Sequence, residues 1–63
     1  MNDLVSSFGL TLRRFREERG WSQEELAGRA DLNRSYLVEI ERGQVIASLA
    51  TIGKLCLALG IRP

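Results

Sequence analysis

Four polar side chains sit close together in the second half of the chain: Arg34, Ser35, Glu39 and Arg42. Their separations of one, five and eight residues put them on one side of a helix at about 3.6 residues per turn. Leu37 and Ile40 point the other way. Guanidinium forks suit planar acceptors such as guanine edges and phosphate oxygens. A serine hydroxyl can donate or accept, and a glutamate can only accept. The set is suited to binding rather than to bond-breaking. The chain has no histidine, no nucleophile–base pair and no glycine-rich phosphate loop, so an enzyme is not expected. Glu24 and Glu25 are adjacent on a helix and do not face each other.

These residues need a rigid frame, and the pattern of the chain supplies one. Leu4, Val5, Phe8, Leu12 and Phe15 form a helical stripe about 100° wide. That predicts a first helix from about Leu4 to Arg19, capped by Asp3 and stopped by Gly20 in the left-handed position. Ser22-Gln23-Glu24-Glu25 fits a reciprocal capping box, with Glu25 reaching back to the Ser22 amide and Trp21 stapled on Leu26. The buried face of this second helix is Leu26, Ala27 and Ala30. After a turn at Asp31-Leu32, Asn33 caps a third helix through about Arg42, and Gly43 ends it. Residues 44–47 form a loop. Ser48 caps a fourth helix, on which Leu49, Ile52, Leu55, Cys56 and Leu59 are expected to share one face, and Gly60 terminates it.

Two short helices joined by a tight turn make an angled pair that needs the first and fourth helices for a core. This leaves the outer face of the third helix free, and a helix of this kind fits the DNA major groove. Free amides at the start of the second helix, at Ser22 and Gln23, are suited to a phosphate. Arg42 and Gln44 flank the exit of the third helix and can hold the backbone there, and the Tyr36 hydroxyl can reach a phosphate although the ring reads as a packing residue.

The bulk numbers limit the alternatives. Sixty-three residues are expected to form one domain over 1–63, with a net stability of roughly 3–5 kcal/mol. The net charge of +1 does not announce nucleic acid, yet eight of the nine basic residues are arginine. The lone Cys56 reads as a reduced core residue, and a metal site or cofactor is not expected. No signal peptide or membrane-length apolar run is visible, so the expected location is the cytoplasm.

The stretch Gly20-Trp21-Ser22-Gln23-Glu24-Glu25-Leu26-Ala27, with Asn33-Arg34-Ser35-Tyr36-Leu37 and Ile40-Glu41-Arg42-Gly43, closely resembles the phage repressor/Cro-type helix-turn-helix, the xenobiotic-response-element family. Ser48-Leu49 and Ala58-Leu59-Gly60-Ile61 resemble that family's fourth helix and its exit. The resemblance covers about residues 8 to 61. It implies an all-α, lambda-repressor-like bundle of four to five helices with helices two and three as the helix-turn-helix. It also implies a sequence-specific regulator of transcription, of repressor or controller type. By resemblance Gln23 contacts the DNA at the start of the second helix, and Arg34, Ser35 and Glu39 fall where the family reads bases. These four are the candidate base contacts, and Ser22, Tyr36, Arg42 and Gln44, from their positions, are the candidate phosphate contacts. Arg16 and Glu41 match the family's ion pair between helices one and three, and each borders a buried stripe.

Three places depart from the family pattern. Asp31 stands for the turn glycine, Val45-Ile46-Ala47 replaces a polar or basic loop, and the fifth helix that many relatives use in pairing is not expected within these 63 residues. The expected partner is a palindromic duplex operator bound by a homodimer, with Val45, Ile46, Leu57 and Ile61 as the candidate interface. The alternative is a protein-interaction module of the same fold, such as an antitoxin or accessory subunit, favoured by the near-neutral charge and the apolar loop.

Overall fold

The computed structural model describes residues 3–62, residue 3 by its backbone alone. Four helices follow one another: α1 (Asp3–Glu18), α2 (Gln23–Arg29), α3 (Arg34–Glu41) and α4 (Leu49–Leu59), with no strand among the described residues. The expectation of four to five helices resolves to four within this span. Helix α1 already includes Asp3, so its capping position falls outside the described residues.

The polar residues that start the other helices do so by accepting backbone hydrogen bonds. Ser22 Oγ takes the Glu25 amide at 3.0 Å, Asn33 Oδ1 takes the Ser35 amide at 2.8 Å, and Ser48 Oγ takes the Thr51 amide at 3.1 Å. Each satisfies a donor that the helix itself leaves open. The capping box on α2 is only half made. The Glu25 carboxylate turns away from Ser22 and accepts from Arg29 Nε at 2.7 Å, one helical turn on. Residues four apart are neighbours on a helix surface, so the two charges meet. Arg29 also lies over the Trp21 ring, 4.2 Å from its centre, so the tryptophan is covered by a cation while it packs on the core.

The core is one cluster: Leu12 from α1, Leu26, Ala27 and Ala30 around α2, Leu37 and Ile40 from α3, and Leu55 and Leu59 from α4. The stripe on α4 is narrower than expected. Leu49 is 87% exposed, because the buried line on α4 runs through Thr51, Leu55 and Leu59, and Leu49 lies about 120° round the helix from it. Leu4 is exposed at the start of α1. Arg19 closes the opposite end, donating to the Phe15 carbonyl at 2.8 Å and to the Leu59 carbonyl at 2.6 Å. It thereby serves the unpaired carbonyls at the ends of two helices.

Helices α1 and α3 meet backbone to backbone. A Cβ at Gly9 would stand 2.5 Å from the Ile40 carbonyl oxygen and 2.7 Å from that of Glu41. Only a residue without a side chain permits this approach. Between α2 and α3 the chain reverses at Asp31, whose φ of 55° is left-handed. Aspartate tolerates that region better than most residues, so the turn keeps its shape without glycine.

Candidate nucleic-acid interface

The third helix is eight residues long and is held from behind by Leu37 and Ile40, both essentially inaccessible. That anchoring fixes the direction of its opposite face. Arg34, Ser35, Glu39 and Arg42 are all exposed there. Arg34, Glu39 and Arg42 make no ion pair or side-chain hydrogen bond among the described residues. Some charges elsewhere are paired, as in Arg13–Glu17 at 3.1 Å and Arg29–Glu25 at 2.7 Å, while Arg14, Glu18 and Glu24 are open like those of α3. The polar atoms of the outer face are therefore available to something outside the chain.

Two open concavities border this face. The first, about 340 Å³, is lined by Gln23, Arg34, Ser35, Val38, Glu39, Arg42 and Gln44. The second, about 450 Å³, is lined by Arg13, Arg16, Ser22, Gln23, Glu41 and Arg42. Gln23 and Arg42 border both. All four residues assigned to bases thus lie around one concavity, with Gln44 at its edge and Ser22 in the neighbouring one. Tyr36 stands apart from both. Its ring packs against the core and its hydroxyl lies 3.4 Å from Thr51 Oγ1 on α4, so its packing role is the one the geometry displays.

Two residues that line the site were given no contact role by the sequence: Val38, although it falls on the outer face of the third helix, and Arg13, which reads as part of a solvated face. Val38 is half-buried and lies between Ser35 and Arg42 at helical spacing, which puts a branched apolar group within the first concavity. Its place on the outer stripe was the available signal. Arg13 lies beside the second concavity, although it shares its charge with Glu17.

Beneath the site lies a buried ion pair. Arg16 is 9% exposed and Glu41 7%. Arg16 Nε donates to Glu41 Oε2 at 2.8 Å and Nη2 donates to Oε1 at 3.0 Å, a fork-to-fork pair. Arg16 Nη1 donates to the Trp21 carbonyl at 2.9 Å. The hydrogen bonds that Arg16 donates to Glu41 raise its pKa above the usual arginine value, and desolvation opposes them. Gln23 joins this group, its Nε2 donating to Glu41 Oε1 at 3.1 Å. No buried side-chain nitrogen or oxygen among the described residues is left without a partner.

The helix-turn-helix family pattern matches residues 12–63. The chain belongs to the helix-turn-helix family. It is 41% identical over 63 residues to the control protein C.BamHI of Bacillus amyloliquefaciens, covering 98% of this chain and 78% of that one. It is 41% identical over 59 residues to a hypothetical transcription factor of Neisseria meningitidis serogroup B, covering 94% of this chain and 56% of that protein. The chain thus spans little more than half the length of that second relative. Among solved structures, the restriction-modification controller protein C.AhdI from Aeromonas hydrophila superposes with a TM-score of 0.94 at 44% identity, covering 97% of this chain and 92% of that one.

No helix among the described residues is long and apolar enough to cross a membrane. Of the four apolar residues assigned to a dimer interface, Val45 and Ile61 pack against the core and are half-buried. A thin core draws in the apolar groups that flank it. Ile46 is 75% exposed and Leu57 85% exposed.

Proposed function

We propose that α3 enters the major groove of duplex DNA and that Arg34, Ser35, Glu39 and Gln23 read base edges there. The protein is a DNA-binding regulator of transcription, not an enzyme, and residues 1–63 act as its DNA-binding domain. The observation that carries the base-reading assignment is the outer face of α3, where three charged side chains stand without partners around one concavity. Phosphates are held from the rim by Ser22, Arg42 and Gln44. The location that goes with this reading is the cytoplasm. Selection from a randomised duplex pool, followed by a gel shift at several salt concentrations, tests this reading. The expected result is enrichment of one short motif, with binding that weakens steeply as salt rises. No enrichment at low salt overturns it.

One small module seldom holds DNA tightly alone, so the working unit is taken as a homodimer on a two-fold related, palindromic operator. Ile46 rims an apolar trough of about 230 Å³ lined by Leu4, Val5, Phe8, Ala47 and Ile52. A projecting apolar group beside an apolar hollow can pair with its own copy about a two-fold axis. Light scattering with and without the selected duplex tests this. A monomer that binds a half-site at full affinity removes the dimer. The same exposed apolar groups favour the second reading, a protein-interaction module, which gains ground only if the duplex selection fails.

A further inference from the structure

We propose that Glu41 is a positioning residue for DNA recognition, holding the Gln23 amide in one orientation before DNA arrives. The inference rests on the DNA-binding reading above. It starts from the chemistry of one carboxylate. Glu41 Oε2 accepts from Arg16 Nε, while Oε1 accepts from both Arg16 Nη2 and Gln23 Nε2. A carboxylate offers no proton to an amide oxygen. The NH2 end of Gln23 is therefore the only end that can face Glu41, and a flip of the amide would set oxygen against oxygen. The carbonyl oxygen and the second N–H of Gln23 are left for an outside partner, in a fixed order.

The anchor behind this arrangement is rigid. Glu41 is held at the end of α3, whose last turn packs directly on α1 at Gly9. Arg16 comes from α1 and is itself tied to the Trp21 carbonyl, two residues before Gln23. One buried pair therefore joins three elements to the first residue of α2. Gln23 stands where the two concavities meet, the place from which a single side chain addresses both sides of the interface. A long side chain ordered in advance does not lose that freedom on binding, which amounts to about two- to tenfold in affinity.

A thermodynamic cycle separates positioning from mere scaffolding. Binding of the wild-type-selected duplex is measured by fluorescence anisotropy for Gln23→Ala in two backgrounds, the native chain and Arg16→Met/Glu41→Met. Apolar replacement of a buried ion pair is often close to neutral for folding. The loss caused by Gln23→Ala is expected to shrink by about two- to tenfold in the methionine background. The loss caused by Arg42→Ala is expected to be the same in both. An undiminished Gln23 effect overturns the proposal, and so does an Arg42 effect that shrinks alongside it. If the methionine pair does not fold, Glu41→Gln serves instead. Its amide can donate or accept, so Gln23 becomes free to flip and discrimination at one base pair is expected to relax. Unchanged discrimination overturns the proposal. Failure of the native chain to bind any duplex overturns the DNA reading, and this inference with it.

Discussion

The two sides of α3 are built from opposite materials. Its inner side carries Leu37, Ile40 and Glu41, all buried, and its last turn packs on a glycine of α1, with no buried side-chain nitrogen or oxygen among the described residues left unsatisfied. Its outer side carries Arg34, Glu39 and Arg42, exposed and unpartnered. An ordinary solvated helix face tends to pair its charges at i,i+4, as α1 and α2 do with Arg13–Glu17 and Glu25–Arg29. Arg14 and Glu18 on α1 stay unpaired as well, so what sets the outer face of α3 apart is that its open charges gather around one concavity. The difference teaches that the inner side is committed to folding and the outer side to contact, so substitutions on the two sides should separate cleanly into stability and binding.

The largest effect is expected on the inner side. Glu41→Ala strands the buried Arg16 guanidinium and should destabilise the fold by about 3–5 kcal/mol. For a domain of this size that approaches the whole net stability. Chemical denaturation followed by far-UV circular dichroism checks it. A loss below about 1 kcal/mol, the range of an exposed pair, would erase the distinction between the two sides. Gly9→Ala comes next. The added methyl group meets two backbone carbonyls rather than a movable side chain. Overpacking typically costs about 1–3 kcal/mol, and the upper end is expected here. On helix propensity alone the same change would stabilise α1 by about 1 kcal/mol. The sign of the measured shift thus decides between packing and propensity.

On the outer side, Arg34→Ala should leave stability within about 0.5 kcal/mol of the native chain. It should weaken binding to the selected duplex by about 1–3 kcal/mol and relax specificity at one base pair. Equal binding across all variants of the site removes Arg34 from readout. A large loss of stability instead would mean that the outer face also supports the fold.

Much of this frame was legible in the sequence, for physical reasons that can be named. Ser22, Asn33 and Ser48 mark helix starts because few other residues satisfy open amides, and all three do so. Arg16 and Glu41 were visible because charges bordering two apolar stripes need each other once the stripes close. What stayed hidden depends on distance across the fold. Gly9 reads as a weak spot in α1 until α3 is laid against it. Gln23 reads as a surface residue until Glu41 is brought beneath it. Leu49 falls at the edge of the apolar stripe on α4, and the buried line runs instead through Thr51, Leu55 and Leu59, because hydropathy does not mark a threonine as a core position. Val45 and Ile61 looked free because a loop and a chain exit carry no period at all, and tertiary packing drew both inward.

The smallest expected effect lies at the hinge between the two sides, the turn that leads α2 into α3. Asp31 holds a φ of 55°, where a Cβ is disfavoured by roughly 1 kcal/mol and aspartate by less. Its side chain is almost fully exposed, and the Lys54 ammonium lies 3.8 Å from its carboxylate, a separation at which an exposed pair contributes little. Lys54 also approaches the Asp31 carbonyl oxygen at 3.4 Å, a backbone contact that any residue retains. Asp31→Gly therefore removes strain and sacrifices almost nothing that the side chain does. The greater freedom of glycine in the unfolded chain offsets part of the gain. A net stabilisation of up to about 0.5 kcal/mol is expected, or a rise in Tm of about 2–4 °C for a domain of this length. Asp31→Val should move the other way and by more, because a β-branched side chain fits the left-handed region poorly. Asp31 borders neither concavity, so neither change should alter which duplex is selected. Valine matching aspartate in Tm would show that the turn has given up its left-handed residue. Altered selectivity in either variant would show that the turn itself, and not only α3, takes part in contact.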